Sequence, residues 1–338
     1  MFYRINKGLC LVIGFFLLLL IPGGAALAAP FYAGKIITVT VGHAPGGGYD
    51  VMARLFARHL PKYIPGKPTI IINNMPGASS VIAANTLYNL AKPDGLSIGV
   101  VGQGIPFAQL LKAEGVRFDL TKFAWIGSTA IEATILAIRN DLPYKTYEEL
   151  RASKKLLYLT SSGPGALSTQ FPMLLKEFTG LNIKIANYPS TGEQMLAIDR
   201  KEADGIASTV NSLRPYIEKG IVRPVIRGRV SVPEIENLPV DENFTTDKKG
   251  KIIMAVRAAT DLVGRPFIAP PATPAPLMNI LRKAFAQAAQ DPELQEQAKR
   301  IKIAVKYVPH DECLKVYRYI FSQPPDIVEE FSKFIKFG

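Results

Sequence analysis

The alternation of short apolar segments with helical patterns most constrains what this chain can fold into. Ile36–Val41 has the β-branched composition of a strand, and after a glycine-rich turn Val51–Leu60 has helical spacing. The same order recurs from Thr69–Asn73 and again from Leu96–Val101. Because consecutive parallel strands are joined by crossover helices, this alternation predicts an α/β fold with a mainly parallel sheet flanked by helices.

A second α/β run begins after Trp125-Ile126-Gly127, with a first predicted strand at Thr134–Ile138. The polar, charged segment Arg227–Lys251 contains two prolines and is typical of a return linker between domains. After it, Ile252–Val256, Pro266–Pro270 and Ile303–Tyr307 are predicted as further strands. The length of the chain and its two runs of alternating strands and helices therefore predict two α/β units.

The first 28 residues have a composition of their own. Arg4 and Lys7 precede the apolar run Leu9–Ile21, and Ala26-Leu27-Ala28 supplies the small residues that a signal peptidase reads. This pattern predicts a secretory signal peptide that is cleaved after Ala28. The alternative is a retained anchor, but the apolar run is shorter than the roughly 20 residues that span a bilayer.

The net charge of +12 falls to +10 when Arg4 and Lys7 are removed with the signal peptide. A basic exported protein favours anionic ligands or envelope surfaces. The basic residues are scattered and match no nucleic-acid-binding module, so no nucleic-acid partner is expected. Cys313 is the one cysteine left after processing, which excludes an internal disulfide, and we expect its side chain to be packed.

The stretch Gly42-His43-Ala44-Pro45-Gly46-Gly47-Gly48-Tyr49-Asp50 joins the first predicted strand to the first helix. Successive glycines allow backbone N–H groups to point outward, and Asp50 is expected to cap the helix. The helix start adds unpaired N–H donors and the positive end of the helix dipole. The stretch therefore predicts an anion-binding loop, with a tight turn that binds nothing as the alternative.

Several catalytic and cofactor chemistries lack their motifs. The glycine spacing is not that of a dinucleotide fingerprint, and Asn73 and Asn74 stand where its acidic residue belongs. His43, His59 and His310 have no metal-ligand spacing, and no Gly-x-Ser-x-Gly nucleophile motif is present. The sequence thus predicts a protein without catalytic residues, cofactor or metal.

What remains is a set of groups suited to binding. It comprises the backbone amides of Gly46–Gly48 and Gly163–Gly165 and the hydroxyl groups of Ser79, Ser161, Ser162, Ser168 and Thr169. Hydrogen bonds from such donors to a carboxylate are charge-assisted and among the stronger ones. Two sets of such loops, one from each α/β run, predict a cleft that holds a small anion.

The order of several segments resembles the periplasmic solute-binding proteins of tripartite tricarboxylate transporters, the Bug family. The segments are Pro45-Gly46-Gly47-Gly48-Tyr49-Asp50, Asn74-Met75-Pro76-Gly77-Ala78, Lys92-Pro93-Asp94-Gly95, Ser162-Gly163-Pro164-Gly165 and Ala269-Pro270-Pro271-Ala272-Thr273-Pro274. The resemblance extends over nearly the whole mature chain.

The resemblance implies a two-domain Venus-flytrap fold with the ligand cleft between the domains. Domain 1 is expected to comprise residues 29–127 and 251–338, and domain 2 is expected to be the inserted segment 128–250. The family implies a monomeric, non-enzymatic periplasmic receptor that binds a di- or tricarboxylate or a related acid and delivers it to membrane permease subunits. Two alternatives stay open, a periplasmic enzyme acting on a small carboxylate and a sensory receptor for one.

The predicted ligand-binding residues belong to the loops that carry the resemblance. They are His43, Pro45, Gly46, Gly47, Gly48, Tyr49, Asp50, Ala78, Ser79, Gln103, Ser161, Ser162, Gly163, Gly165, Ser168, Thr169, Thr191 and Ser208. His43 and Tyr49 stand where the family often has phenylalanine and threonine. We therefore expect these two side chains to help choose the ligand.

Overall fold

The computed structural model describes residues 29–337, and the predicted signal peptide lies outside this range. Within it, no helix combines the length and the apolar character needed to cross a bilayer.

The described residues form two sheets. Their strands are β1 (Ile36–Val41), β2 (Thr69–Asn74), β3 (Ser97–Val100), β4 (Ala124–Ser128), β5 (Thr134–Arg139), β6 (Leu157–Ser161), β7 (Ile183–Asn187), β8 (Gly205–Thr209), β9 (Val222–Arg227), β10 (Pro266–Ala269) and β11 (Val308–Pro309).

Helices flank both sheets. They are α1 (Gly48–His59), α2 (Val81–Asn89), α3 (Ile105–Leu110), α4 (Tyr147–Ala152), α5 (Leu167–Thr179), α6 (Thr191–Asp199), α7 (Val210–Glu218), α8 (Lys248–Ala259), α9 (Ala275–Ala289), α10 (Pro292–Arg300), α11 (His310–Phe321) and α12 (Pro325–Phe334).

The first sheet has the strand order β11-β4-β10-β3-β1-β2. Strand β1 pairs in parallel with β2 and with β3, as the strand–helix alternation predicts. Strand β10 lies between β3 and β4 and is antiparallel to both, and β11 is antiparallel to β4. The first sheet therefore contains both the early and the late strands of the chain.

The second sheet has the order β7-β6-β8-β5-β9. Strand β6 is parallel to β7 and β8, whereas β5 is antiparallel to β8 and β9. Both sheets are thus more mixed than the mainly parallel sheets expected. The antiparallel strands β5 and β10 are each the first strand after the chain passes from one sheet to the other, so no helical crossover on the same sheet requires them to be parallel.

The alternation of β1 sets the packing of the first sheet. Ile37, Val39 and Val41 point into the core and are fully or almost fully buried. Phe56 of α1 packs on Phe285 of α9, with ring centroids 4.9 Å apart. Burial of one such ring contributes roughly 2 to 3 kcal/mol, so this contact anchors the helix that follows the glycine loop.

Two predicted strands are wrong. Ile252–Val256 lies inside α8, because Asp247 caps the helix by accepting a hydrogen bond from the N–H of Lys249 at 2.9 Å. Its apolar residues bury one side of a helix, and Ile252 stays exposed. Ile303–Tyr307 forms no strand either, since pairing with β4 begins at Val308.

The segment Arg227–Lys251 is more structured than a linker. Arg227 ends β9 and forms an isolated bridge with Val240, and Arg229 forms an ion pair with Glu242 at 2.7 Å. The segment is therefore packed against the second sheet. The domain boundaries after residues 127 and 250 stay a prediction.

Candidate ligand-binding site

A cavity of about 370 Å³ lies between the two sheets. From the first sheet it is lined by the loops that follow β1, β2 and β3, and from the second by the loops that follow β6 and β7 and by the end of β8 with the start of α7. These are the carboxyl ends of parallel strands, where α/β sheets bind ligands. Arg265, just before β10, completes the lining.

Most of the predicted site residues line this cavity. They are His43, Gly47, Gly48, Tyr49, Ala78, Ser79, Gln103, Ser162, Gly165, Ser168, Thr191 and Ser208. The structure places the others outside the lining, and these are Pro45, Gly46, Asp50, Ser161, Gly163 and Thr169. Contact with a ligand stays a prediction for all of them.

The sequence predicts that Asp50 caps the helix, and this prediction is wrong. Asp50 instead stabilises the glycine loop through hydrogen bonds of its carboxylate. Gly47 is the N-cap residue of α1, and the Asp50 carboxylate in the first turn accepts the N–H of Gly46 at 2.9 Å. It also accepts hydrogen bonds from Arg54 and Asn74, each at 2.9 Å. Burial alone would raise the pKa of Asp50, but these hydrogen bonds outweigh it and lower that pKa.

The three glycines have different reasons to be glycine. Gly46 has φ +80°, in the left-handed region that other residues disfavour. A Cβ on Gly48 would lie 2.9 Å from both Arg265 Nη2 and Ser212 Oγ. A Cβ on Gly47 would meet nothing closer than the carbonyl oxygen of Ala44 at 3.7 Å, and its φ is −79°. The backbone angle therefore favours glycine at position 46, whereas a side chain at position 48 would displace the ends of Arg265 and Ser212.

The turn after β2 is strained. Ala78, Ser79 and Ser80 have φ values of 43°, 51° and 79°, and Gly77 before them has φ 134°. Each non-glycine residue in this region costs about 1 kcal/mol or more, and such strain clusters at functional sites. The buried Ser80 Oγ stabilises the turn by donating to the Gly42 carbonyl and accepting the N–H of Gly102, both at 3.0 Å.

His43 and Tyr49 form an aromatic wall of the cavity, with stacked rings. Burial lowers the pKa of His43 to about 4, and the positive charge of Arg265 acts in the same direction, so the imidazole is neutral at pH 7. His43 Nδ1 lies 3.3 Å from Ser80 Oγ. This is not an activated nucleophile, because Ser80 Oγ is buried and already engaged by two backbone groups.

Ser161 and Thr169 stabilise the loop after β6 from within. Their hydroxyl oxygens lie 2.6 Å apart, and Thr169 Oγ1 donates to the Gly163 carbonyl at 2.7 Å. Ser168 Oγ accepts the N–H of Ser162 at 3.2 Å and still lines the cavity. The sequence predicts that all these hydroxyl groups bind the ligand. In the structure, some of them form hydrogen bonds within the loop and others belong to residues that line the cavity.

Loops from the two sheets lie against each other beside the cavity. A Cβ on Gly104 would lie 3.2 Å from the carbonyl oxygen of Gly165, and a Cβ on Gly165 would lie 3.1 Å from Ser79 Oγ. The ring of Phe337 also lies against Gly165. No sequence pattern indicated that the carboxyl-terminal segment reaches this loop.

Gln103 is a buried amide in the cavity wall, and its backbone N–H donates to the Tyr49 hydroxyl at 2.9 Å. Its side-chain Nε2 donates to Asp261 Oδ1 at 3.0 Å. Asp261 also forms a buried ion pair with Arg257, at 2.9 Å, and accepts a hydrogen bond from Thr134 at 2.9 Å. The amide is thus held by a network that reaches the first strand of the second sheet.

Arg265 is the charged residue, among the described residues that line the cavity, that sequence reasoning missed. It is 2% exposed, and its Nε lies 2.9 Å from Glu132 Oε1, which makes a buried ion pair between the two segments that connect the sheets. Glu132 Oε2 in turn accepts a hydrogen bond from Asn211 at 3.1 Å. In the sequence, Arg265 is only a charged residue between a glycine and the predicted strand Pro266–Pro270. That pattern does not distinguish a buried arginine from a surface arginine.

His59 lies with Asp291 and Glu293 in an arrangement that could hold a metal ion. The ammonium group of Lys62 is already there, 3.3 Å from His59 Nδ1, 3.3 Å from Asp291 and 2.5 Å from Glu293. His59 is buried. The cluster is best described as an ionic link between α1 and α10.

Comparison with known proteins decides the family. Residues 52–321 match the family model described as the tripartite tricarboxylate transporter family receptor. The chain belongs to this receptor family. The family is periplasmic, and the matched span begins two residues after Asp50.

Relatives of this receptor agree in sequence and in fold. A UPF0065 protein of Bordetella pertussis is 26% identical over 286 residues, which cover 82% of this chain and 83% of that protein. The periplasmic binding protein BugD is 24% identical with a TM-score of 0.73, covering 90% of this chain and 99% of its own. MatC of Rhodopseudomonas palustris, solved with bound malate, is 21% identical with a TM-score of 0.71, covering 87% and 99%. The receptor therefore shares the α/β fold of these proteins, with two sheets flanked by helices.

Proposed function

We propose that this receptor binds a small organic carboxylate anion in the cavity between its sheets and delivers it to membrane permease subunits. The observation that carries the proposal is the convergence of loops from both sheets on one cavity of about 370 Å³. Gly47, Gly48 and the start of α1 supply backbone N–H groups from one side, and Ser162 and Ser168 supply polar groups from the other. Such groups stabilise a carboxylate through charge-assisted hydrogen bonds.

The family supports the same ligand class. MatC, which shares the fold, was solved with malate, a dicarboxylate. We further infer that residues 1–28 are removed on export and that residues 128–250 form an inserted domain, so that ligand binding closes the cleft. Closure of two such domains around a ligand is a common mode of periplasmic recognition.

A thermal-unfolding screen of the protein from residue 29 onward tests the proposal. The panel should hold di- and tricarboxylates, aromatic acids and amino acids, with uncharged amides and sugars of similar size as controls. A ligand at a hundred times its Kd stabilises the protein by about 2.7 kcal/mol, which is a clear shift in Tm. Stabilisation by neutral solutes, with no response to any carboxylate, would refute the proposal.

Delivery to permease subunits needs its own test. Uptake of the identified acid by cells should depend on this receptor and on a permease pair of the same transporter class. If deletion of the receptor leaves uptake unchanged but abolishes a transcriptional response to the acid, the sensory alternative is correct.

A further inference from the structure

Three phenylalanines recur at intervals of three residues in and after α12, at Phe331, Phe334 and Phe337. We call residues 331–337 the aromatic segment. Phe331 is 1% exposed and packs on Phe107 of α3, with ring centroids 4.9 Å apart. Helix α3 follows β3 of the first sheet. The start of the aromatic segment is therefore fixed to the helices of the first sheet.

The other two phenylalanines contact elements of the second sheet. Phe334 packs edge-on against Phe178 near the end of α5, with ring centroids 5.2 Å apart. Helix α5 connects β6 to β7 of the second sheet. Phe337 lies against Gly165, which lines the cavity in the loop between β6 and α5. The aromatic segment thus links helices of the first sheet to a ligand-facing loop of the second.

The backbone after α12 directs Phe337 toward this loop. Helix α12 ends at Phe334, and Ile335 has extended backbone angles, with φ −110° and ψ 111°. Side chains of an extended segment alternate in direction. Ile335 is buried, Lys336 is exposed and Phe337 is partly buried, which agrees with this alternation. Ile335 therefore anchors the exit from the helix, and Phe337 is the next side chain on the same side.

The loop after β6 contains glycines that give its backbone unusual freedom. Gly163 has φ +134°, and a Cβ there would meet nothing within 4 Å. Gly165 is buried, and a Cβ there would collide with ring carbons of Phe337 and lie 3.1 Å from Ser79 Oγ. Glycine loses more conformational freedom on ordering than any other residue. Contacts from outside the loop therefore help to determine how firmly it is held.

We propose that Phe337 is a positioning residue that holds the loop after β6 in its ligand-binding place. Among the described residues, Phe337 does not line the cavity, so it acts through Gly165. Ser162 and Ser168, to which the proposed function assigns contact with the carboxylate, lie in this loop and in the first turn of α5. A loop that is already in place loses less conformational entropy on binding, which raises affinity. The effect on affinity rests on the proposed function, whereas the effect on the loop does not.

Hydrogen–deuterium exchange of the ligand-free protein tests the positioning directly. The amides of Ser162, Gly163 and Ala166 donate hydrogen bonds within the loop, so they exchange when the loop opens. In Phe337→Ala we expect these amides to exchange at least fivefold faster than in the wild type. Wild-type exchange of the loop in a folded Phe337→Ala variant overturns the proposal.

Phe321→Ala is the matched control for loss of an aromatic ring. Phe321 and Phe337 are both partly buried and pack against the same hydrophobic cluster. The described ring contact of Phe321 is with Tyr317 of its own helix. We expect the loop amides of this variant to exchange at the wild-type rate. Equal acceleration in both variants would show a general loss of stability and would refute a specific role for Phe337.

Calorimetric titration with the acid identified in the screen tests the consequence for binding. Phe337→Ala should weaken affinity at least fivefold, whereas Phe321→Ala should keep the wild-type affinity. Phe337→Leu retains an apolar side chain against Gly165, and its affinity should lie between those of Phe337→Ala and the wild type. Faster exchange of the loop with unchanged affinity overturns the proposal. If no acid binds the wild type, the proposed function fails, and the exchange experiment still decides whether Phe337 positions the loop.

A double-mutant cycle tests whether Phe337 acts through Gly165. The methyl group of Gly165→Ala would collide with the Phe337 ring, so the ring must leave its place. We expect Gly165→Ala alone to accelerate exchange of the loop at least fivefold. In the Phe337→Ala background it should add less than twofold, because the contact is already lost. Accelerations that multiply fully in the double variant would refute action through this contact.

Discussion

The imidazole of His43 lies flat against the phenol ring of Tyr49, with ring centroids 3.9 Å apart and an angle of 7° between the planes. Stacking of two neutral rings is favourable and covers apolar surface at the cavity wall. Protonation of His43 would therefore change the packing of the site as well as its electrostatics.

We expect acid to destabilise the protein through His43. Its pKa is lowered from 6.5 to about 4 by burial and by Arg265. The unfolded state binds the proton more readily than the folded state. The free energy of unfolding is therefore highest above pH 6.5 and decreases by on the order of 2 kcal/mol as the pH falls toward 4. Denaturant unfolding of the wild type and His43→Gln between pH 7.5 and 4.5 measures this, and parallel stability curves would contradict it.

Gly48→Ala should weaken ligand binding at least tenfold. The new methyl group would lie 2.9 Å from Arg265 Nη2 and 2.9 Å from Ser212 Oγ, so these cavity-lining groups must move. Titration of the variant with the acid identified in the screen measures the loss.

Gly47→Ala is the matched comparison for folding within the same loop. Its methyl group meets only the Ala44 oxygen, at 3.7 Å, and its backbone angles suit any residue. We expect its Tm to stay near the wild-type value. An equal loss of Tm in both variants would indicate that the loop tolerates no side chain at all, contrary to this geometry.

Asp50→Asn should destabilise the protein by about 1 to 3 kcal/mol. The substitution keeps the shape but replaces one acceptor oxygen by a donor, which faces either the Gly46 N–H and Arg54 or the Asn74 amide. Denaturant unfolding gives the free energy directly. Glu296→Gln, at an exposed carboxylate on α10, is the control and should change stability by less than about 0.5 kcal/mol.

Ser80→Ala should cost about 2 kcal/mol or more. It leaves the Gly42 carbonyl and the Gly102 N–H without their shared partner in a buried position, beneath a turn that is already strained. Ser79→Ala, at the neighbouring position, removes a hydroxyl that no described residue binds within the turn, and should leave the unfolding free energy nearly unchanged. Comparable losses in both variants would contradict the role assigned to Ser80.

Most of the residues predicted to bind the ligand line the cavity because that prediction depends on local chemistry, and their contact with a ligand stays a prediction. A β-branched run, a glycine turn and a helix define the carboxyl end of a strand, and the cavity lies there. The reason given for three glycines was only partly correct. Gly46 has a positive φ, and a side chain at Gly48 would collide with its close neighbours. Neither constraint applies to Gly47. A one-dimensional pattern does not show which glycine faces which neighbour.

Arg265 and Phe337 were missed because their roles depend on tertiary contacts. Arg265 is paired with Glu132, 133 positions earlier in the sequence, and Phe337 contacts Gly165 across a still longer separation. Neither residue has a local motif. The strand predicted at Ile252–Val256 failed for a related reason, since five consecutive apolar side chains fit a buried strand and a helix equally well, and only the Asp247 cap distinguishes them.

The position of β10 between β3 and β4 has a consequence for how the chain assembles. β10 ends at Ala269, so the whole of the second sheet precedes it in the sequence. As the chain emerges amino end first, β3 and β4 each present an edge whose partner has not yet been made, and such edges invite pairing with other chains. The first sheet is therefore completed only by a four-residue strand that follows more than three-quarters of the chain, and long-range pairing of this kind slows folding.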